Sequence, residues 1–398
     1  MYILFFSIFL SVFGLLNYYL GLRVWQLLGG SLHLTDMTVY WLVFTAIVLS
    51  GILGTVGNKL FPLFLRSGIY LAASYWLAAM TYLIIFFVIA DFVQFLSKRT
   101  AILSAAVWDS AAFPFTPGLV VIPAVLILLI YGTWNGRNIK IRSYEINIPK
   151  RKGSLNQLHI AMFSDAHFGP VNDNRQKKIV NAINSLNADI VLIPGDIIDD
   201  IDLYEKQGIA AALKNIKSKY GIYASLGNHD YFNKELSRHE KLLNETGVKL
   251  LRDSSVKVAG SLFLVGREDR YYELRGSHKR KELRELMQDL EPGLPVIMLD
   301  HQPLGLATAA EAGVDLLLSG HTHKGQFFPF NWITGRIFEV DHGYLEKDGL
   351  QVVVSCGAAT WGPPVRIGTR SEVVSVKVNF MDKLEECTGH QSPALSCR

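Results

Sequence analysis

The hydrophobic pattern changes once along the chain, from long apolar stretches to short apolar runs separated by polar residues. Four uncharged stretches come first, and each has the roughly 20 residues that a helix needs to cross a membrane. They are residues 1–22, 37–58, 67–90 and 110–136. The first stretch lacks a basic leader and a cleavage site, so we interpret it as a span and not as a secretory signal. The pattern predicts a transmembrane region of about four helices over residues 1–136.

From residue 137 onward, the apolar positions have the spacing of strands and amphipathic helices. Residues 139–148 alternate largely with period two, which is typical of a strand. Strands at 158–163, 190–194 and 222–226 then alternate with helical patterns near 174–186 and 204–217, as in βαβ units. Further strand-like runs lie at 262–265, 296–299, 316–319, 351–355 and 373–378. We predict an α/β domain of two packed sheets flanked by helices over 137–380, followed by a disordered polar tail over 381–398.

The charged residues follow the same division. Only eight of them stand before residue 137, although the chain has 39 Lys and Arg and 35 Asp and Glu. The net charge of +4 comes without a dense basic run, so we expect no nucleic-acid partner. The cysteines, Cys356, Cys387 and Cys397, form neither a CxxC pair nor an even set, which argues against a disulfide framework or a thiolate zinc site.

The basic residues beside the apolar stretches predict an orientation. Four spans place both ends of the apolar region on one side of the membrane, and the side richer in Lys and Arg is normally cytoplasmic. Eight basic residues flank the side that carries the globular domain, and three flank the other. We therefore predict a multi-pass membrane protein with a cytoplasmic globular domain.

Polar residues suited to binding metals recur immediately after the predicted strands. They are DAH at 165–167, GDIID at 195–199, GNHD at 227–230, DH at 300–301 and GHTH at 320–323. Each alone is explained as a turn or a cap, but the carboxyl ends of parallel strands meet at one edge, so all five are expected to converge. Carboxylate and imidazole donors together suit Mn²⁺, Fe or Zn²⁺. A pair of such ions can hold a hydroxide in line with a phosphorus atom.

These motifs resemble those of the calcineurin-like metallophosphoesterases, in order, over residues 158–378. The runs at 299–303, 318–323 and 360–366 are similar to the membrane-associated bacterial branch of that family, which has N-terminal transmembrane helices. That branch is similar in turn to phosphodiesterases acting on UDP-diacylglucosamine and to a multi-span transmembrane phosphoesterase of animals. The resemblance implies two divalent metal ions bound by seven residues. Asp165, His167 and His323 would hold the first ion, Asn228, His301 and His321 the second, and Asp196 both.

The resemblance also implies roles beside the metals. His229 would donate a proton to the leaving group, oriented by Asp199 or Asp230, and Asp199 is favoured because adjacent side chains generally point apart. Arg366 is either a ligand of the substrate phosphate or a surface arginine. Lys324 stands where related sequences have glycine, which puts the substrate identity in doubt.

Together these features predict a membrane-anchored phosphoesterase that hydrolyses a phosphodiester, pyrophosphate or phosphomonoester by attack of a metal-bridged hydroxide. The short connection between the last apolar stretch and the first strand favours a lipid-linked, amphiphilic substrate, with the lipid bilayer as a partner. The alternative is a non-catalytic membrane scaffold or sensor, although such proteins typically lose ligands. The aromatic run at 327–332 is interpreted as sheet packing, with contact to acyl chains or headgroups as the alternative.

Overall fold

The computed structural model describes residues 2–31, 36–56, 60–100, 116–150, 153–171, 174–232, 235–274 and 279–381. The chain divides into two compact units. One unit is Met1–Trp134 with Gly362–Val365, and the other is Asn135–Trp361 with Arg366–Arg398. Residues 382–398, which make up nearly all of the predicted disordered tail, lie outside the described residues.

Four α-helices lie in the described part of the N-terminal region: α1 (Tyr2–Ser31), α2 (Met37–Val56), α3 (Leu63–Thr100) and α4 (Thr116–Gly136). In the described part of the chain, α3 and the Pro117–Gly136 portion of α4 are long and apolar enough to cross a membrane. The apolar part of α2, Met37–Ser50, is shorter. Length and composition thus support membrane crossing for two of the four predicted spans. The other two spans stay predictions, and residues 1, 57–58 and 110–115 of the predicted stretches lie outside the described residues.

Polar side chains of the N-terminal helices pair with one another. Arg23 of α1 forms an ion pair with Asp91 of α3, and the other oxygen of Asp91 accepts a hydrogen bond of 2.7 Å from the Tyr19 hydroxyl. The Trp76 indole donates to the Asn17 side-chain oxygen at 3.1 Å. Such pairing lowers the cost of placing polar groups on apolar helices.

Twelve strands in the described part of the second unit form two six-stranded sheets. They are β1 (Lys140–Ile148), β2 (Gln157–Met162), β3 (Ile190–Pro194), β4 (Ile222–Ser225), β5 (Val248–Leu250), β6 (Ser254–Val258), β7 (Leu262–Gly266), β8 (Val296–Leu299), β9 (Leu316–Ser319), β10 (Gly343–Lys347), β11 (Leu350–Val354) and β12 (Glu372–Phe380). The orders are β1-β12-β2-β3-β4-β5 and β10-β11-β9-β8-β7-β6. Strands β2 to β5 are parallel, as are β7, β8, β9 and β11. Antiparallel pairs make both sheets mixed.

The two sheets pack face to face and carry helices on their outer faces. Alternate residues of β3 show why: Ile190 and Leu192 belong to the core between the sheets, whereas Val191 and Ile193 pack with the outer helices. Strands buried on both faces read as continuous apolar runs, which explains why they stood out in the sequence. The predicted α/β domain with two sheets flanked by helices is therefore confirmed.

The helices of the second unit are short. They are α5 (Arg175–Ser185), α6 (Ile201–Lys206), α7 (Ile209–Leu213), α8 (Leu236–Glu245), α9 (Tyr271–Leu274), α10 (Leu283–Met287), α11 (Leu306–Glu311) and α12 (Phe330–Ile337). The single helix predicted near 204–217 is wrong, because Gly208 adopts φ 63° and separates α6 from α7. The apolar pattern of the sequence does not predict β5, β6 and β10, which are short or have few apolar residues.

The aromatic run at 327–332, before and within α12, was interpreted as sheet packing, and this is wrong for most of its aromatic residues. Phe327 is buried, but Phe328, Phe330 and Trp332 are 37%, 38% and 60% exposed. A helix of eight residues that buries none of its side chains presents its apolar residues to the surroundings.

Candidate metal centre

The five predicted motifs meet at one edge of the domain, where three parallel strands of one sheet and two of the other end. Strands β2, β3 and β4 of the first sheet and β8 and β9 of the second each lead directly into one motif. Several of the turns that follow are left-handed, with φ values of 55° at Asp165, 55° at Asp196 and 71° at His321. Non-glycine residues adopt this conformation at a cost, and such residues cluster at functional sites.

The first donor group contains Asp165, His167 and His323, all of which are buried. The Nε2 atoms of His167 and His323 lie 3.1 Å apart. His323 Nε2 also lies 3.3 Å from Asp165 Oδ1. Two imidazole nitrogens and a carboxylate oxygen thus face a common point, which is the arrangement that ligands adopt around a cation.

The second donor group adjoins the first through Asp196. Asp196 Oδ2 lies 3.2 Å from His301 Nε2 and 3.8 Å from His167 Nε2, so this carboxylate stands between the two groups. His321 Nδ1 and Asn228 Oδ1 are 2.8 Å apart. The ring centroids of His301 and His321 are 5.1 Å apart. The structure therefore brings all seven predicted ligands together, with Asp196 in the central position.

The donors fit divalent cations. His301 Nε2 is buried and makes no hydrogen bond of good geometry in the described part of the chain, although Asp196 Oδ2 lies 3.2 Å away. A buried polar atom without a partner is costly unless a ligand satisfies it. Four imidazoles, two carboxylates and one amide oxygen form a mixed nitrogen and oxygen set that suits Mn²⁺, Fe or Zn²⁺.

Burial and mutual charge set the protonation states of the cluster. Burial, assisted by the positive charge of His301, lowers the pKa of His321 to about 3. Burial and His167 likewise hold the pKa of His323 well below its usual value. Both imidazoles are therefore neutral, the state in which a ring nitrogen offers a lone pair. Burial raises the pKa of Asp196, but the facing His301 and His229 outweigh burial and hold that pKa well below its usual range.

His229 and Asp199 form an imidazole–carboxylate pair beside the donors. His229 Nδ1 lies 3.4 Å from Asp199 Oδ1, and the same oxygen lies 2.8 Å from His167 Nδ1. Burial lowers the pKa of His229, but the charges of Asp199 and Asp196 outweigh burial and raise this pKa to about 9. The imidazole is thus a cation at neutral pH and can act as a general acid.

Comparison with known proteins identifies the family of the chain. Residues 158–325 match the family model described as calcineurin-like phosphoesterase. An "Uncharacterized metallophosphoesterase" of Aquifex aeolicus is 30% identical over 244 residues, which cover 60% of this chain and 92% of the relative. The chain belongs to the calcineurin-like metallophosphoesterase family.

Two other relatives of this metallophosphoesterase are matched over only part of their length. Two proteins named "Transmembrane protein with metallophosphoesterase domain", from Danio rerio and Bos taurus, are 32% and 30% identical over 67% and 59% of this chain. The matches span 63% and 56% of those relatives, which is less than two thirds of their length. The solved structure of a 5'-nucleotidase precursor from Thermus thermophilus is 13% identical, with a TM-score of 0.36 over 58% of this chain and 57% of that chain.

Asp230 of the metallophosphoesterase faces the backbone and not His229. Its two oxygens accept hydrogen bonds of 2.8–3.1 Å from the amides of Gly227, Asp196, Ile197 and Ile198. Asp230 therefore ties the GDIID loop to the GNHD loop. The orienting position beside His229 is occupied by Asp199.

Arg366 lies behind the donors. The side chain is fully buried, and its Nη2 atom donates to the carbonyl oxygens of Cys356 and Ala359 at 2.5 Å. The same atom lies 3.3 Å from His323 Nδ1, so the guanidinium supports the candidate ligand His323 from the back. The alternative of a surface arginine is therefore wrong, because the side chain is fully buried. These contacts give Arg366 a positioning role, and its contact with a substrate phosphate stays a prediction.

Two aromatic residues that flank His229 were not among the predicted site residues. The ring centroids of Phe232 and Trp361 lie 4.6 Å and 5.5 Å from that of His229. The ligand motifs contain no aromatic residue. The signals available were that Phe232 follows GNHD by two residues and that Trp361 lies in the run 360–366. Lys324, at the position where glycine was expected, adopts φ 50°, and its side chain is half-buried.

Proposed function

We propose that the chain is a membrane-anchored, dinuclear metal-dependent phosphoesterase. Its substrate would be a phosphodiester, pyrophosphate or phosphomonoester, carried on an amphiphilic or lipid-linked molecule. The observation that supports this proposal is the convergence of seven nitrogen and oxygen donors next to a carboxylate-paired imidazole. The complete donor set favours an enzyme over a non-catalytic scaffold or sensor, because a scaffold has no need to keep every ligand.

The site residues have separate roles in hydrolysis. One divalent cation would be held by Asp165, His167 and His323. A second would be held by Asn228, His301 and His321. Asp196 would contact both cations. Two such cations, when bound, supply a water of lowered pKa and neutralise charge on the phosphate oxygens. His229 Nδ1 faces Asp199, which leaves Nε2 to donate a proton to the departing oxygen. Asp199 keeps this imidazole protonated and oriented until the bond to phosphorus breaks.

Membrane anchoring is supported by three observations. Helices α3 and α4 have the length and composition to cross a membrane. Two relatives bear the name of transmembrane proteins. Helix α12 exposes Trp332, Ile333 and Ile337 by 60%, 50% and 64%, a composition typical of surfaces that meet lipid headgroups and acyl chains. Since α4 ends at Gly136 and β1 begins at Lys140, the chain between them is short, which favours a substrate that resides in or at the bilayer.

Metal content and hydrolysis measured on the same samples test the proposal. The full chain purified in detergent is expected to bind about two divalent ions and to hydrolyse bis(p-nitrophenyl) phosphate. Asp196→Asn should lower both metal binding and turnover, turnover by more than about a hundredfold. Asp289→Asn, which neutralises an exposed carboxylate, is the matched control. An Asp196→Asn protein that cleaves the diester as fast as the parent contradicts the proposal.

Lipid extracts test the substrate class. Cells that lack the gene should accumulate a phosphorylated lipid, and the parent gene, but not the Asp196→Asn variant, should remove it. Unchanged lipids together with an active purified enzyme would assign the activity to a water-soluble ester.

A further inference from the structure

His229 is bordered by aromatic rings as well as by metal ligands. The Phe232 ring lies at 4.6 Å and 58° to the imidazole, and the Trp361 ring at 5.5 Å and 73°. Tyr271 packs edge-on against Phe232 at 5.1 Å. Phe232 and Trp361 are nevertheless 47% and 51% exposed. Two large, half-exposed aromatic side chains therefore meet at the residue that protonates the leaving group.

The exposure of Trp361 does not come from a loose loop. The Gln326 side chain accepts a hydrogen bond from the Trp361 amide at 2.8 Å and donates one to the Trp361 carbonyl at 2.8 Å. Gln326 is itself buried and lies three residues after the metal ligand His323. The main chain of Trp361 is thus fixed to the loop that carries a metal ligand, while its indole extends toward solvent.

Phe232 is fixed on the other side of His229. It ends a short 3₁₀ turn, Asp230–Phe232, and its amide donates to the His229 carbonyl at 2.9 Å. The preceding residue, Tyr231, is fully buried. Burial of Tyr231 sets the direction of the turn, so that Phe232 is presented beside the imidazole.

The chemistry of the reaction decides what these rings contact. During hydrolysis, the water oxygen bonds to phosphorus and the bond to the leaving oxygen breaks, with its electron pair remaining on that oxygen. This oxygen takes the proton from His229 Nε2, so it must come within hydrogen-bond distance of the imidazole. Whatever group is attached to the leaving oxygen is then next to the two rings. Exposed apolar surface of this kind marks a place where a ligand binds.

We propose that Trp361 and Phe232 form the leaving-group subsite of the enzyme, with Gln326 as the residue that positions Trp361. The subsite takes a leaving group whose ester oxygen is attached to an aromatic or hydrocarbon face and selects against a compact, fully hydrated alcohol. This inference rests on the proposed phosphoesterase function and adds the chemical class of the group that leaves.

A pair of substrates with equally acidic leaving groups isolates this contact. Methyl phenyl phosphate and methyl 2-naphthyl phosphate release phenols of similar acidity, but the naphthyl group offers a larger face. The parent is expected to prefer the naphthyl ester in kcat/KM. Trp361→Ala should reduce that preference between about twofold and tenfold, the range of aromatic contacts, while Trp361→Phe retains most of it. Phe232→Ala should act in the same direction.

Trp332→Ala is the matched control because Trp332 is a similarly exposed tryptophan, at 60%, on α12. Trp332→Ala should leave the preference for the naphthyl ester unchanged. Detergent affects the parent and all variants alike, so a loss of preference confined to the Trp361 and Phe232 variants is not a detergent effect. A preference that persists in both Trp361→Ala and Phe232→Ala overturns the proposal.

Calorimetric binding of phenylphosphonate and 2-naphthylphosphonate gives a readout that does not depend on turnover. The parent should bind the naphthyl compound more tightly, and Trp361→Ala should bind the two alike. If the parent and all variants fail to hydrolyse any ester, the result counts against the proposed function. A persistent naphthyl preference in binding to Trp361→Ala counts against the subsite alone.

Discussion

At the scale of single residues, the direction in which each ring nitrogen points determines its role. His167 presents Nε2 to the donor cluster and Nδ1 to Asp199. His301 presents Nε2 to Asp196, while its Nδ1 lies 2.8 Å from the Pro194 carbonyl oxygen. A hydrogen bond at one nitrogen fixes the tautomer and leaves the other nitrogen available to a cation. His229 differs because its Nδ1 faces a carboxylate, which favours the protonated ring.

His229→Ala tests the general-acid role through the leaving group. Turnover of a phenyl ester, whose leaving group needs a proton, should fall by about a hundredfold or more. Turnover of a p-nitrophenyl ester, whose leaving group departs unprotonated, should fall much less. Asp199→Asn should show the same pattern with a smaller effect. Equal losses for both esters in His229→Ala would argue that His229 serves binding or metal placement instead.

At the scale of elements, the glycines that precede the ligands allow the loops to approach one another. A Cβ added to Gly227 would lie 2.2 Å from Asp196 Oδ1, and one added to Gly320 would lie 2.3 Å from Asp165 Oδ2. Each glycine therefore makes room for a carboxylate from a loop that follows a different strand. This packing explains why a glycine precedes the ligand in GNHD and in GHTH, where a turn alone would tolerate other residues.

Gly227→Ala is expected to displace the Asp196 carboxylate because the new methyl group would overlap it. Metal affinity should fall by about tenfold or more, with a parallel loss of turnover. Titration with Mn²⁺ under equilibrium conditions measures the change. Gly349→Ala, at φ 81° with nothing within 4 Å of the added Cβ, is a control that carries backbone strain without the clash. Equal metal affinities in the two variants would contradict this account.

At the scale of the whole catalytic unit, an ion-pair network around the buried Glu372 joins the two sheets. Glu372, at the start of β12, accepts hydrogen bonds from Arg142 of β1 at 3.0 Å and from the Cys356 amide at 3.0 Å. His342, which precedes β10, lies 3.3 Å from the same carboxylate. Burial raises the pKa of Glu372, but the hydrogen bond from His342, the His342 charge and the Cys356 amide outweigh it and lower this pKa from 4.5 to about 2.

This network predicts an acid-sensitive contribution to stability. A carboxylate with a depressed folded pKa stabilises the protein above its unfolded pKa, and the contribution is lost as the pH falls from about 4.5 to about 2. At neutral pH it amounts to about 3 kcal/mol. Thermal unfolding of the parent and of Glu372→Gln should therefore differ most near pH 7 and converge toward pH 2. Glu339→Gln, which removes an exposed partner of Lys347, should have little effect at any pH.

The membrane topology is a further prediction at this scale. A reporter fused after Arg398 should be active in the cytoplasm, because basic residues are more numerous on the side of the apolar region that carries the catalytic domain. Activity only outside the cytoplasm would reverse the orientation and with it the compartment of the substrate.

The sequence by itself determined the α/β sheets and the order of the five motifs, and the family resemblance named the seven candidate donors that the structure brings together. Strands buried on both faces read as apolar runs, and the ends of parallel strands meet whatever the details of the loops. Only the tertiary structure decided that Asp199 and not Asp230 faces His229, that Arg366 is buried behind His323, and that Trp361 borders the site. These outcomes depend on the direction of side chains in irregular, partly left-handed turns, and loop conformations of this kind are set by contacts between distant segments.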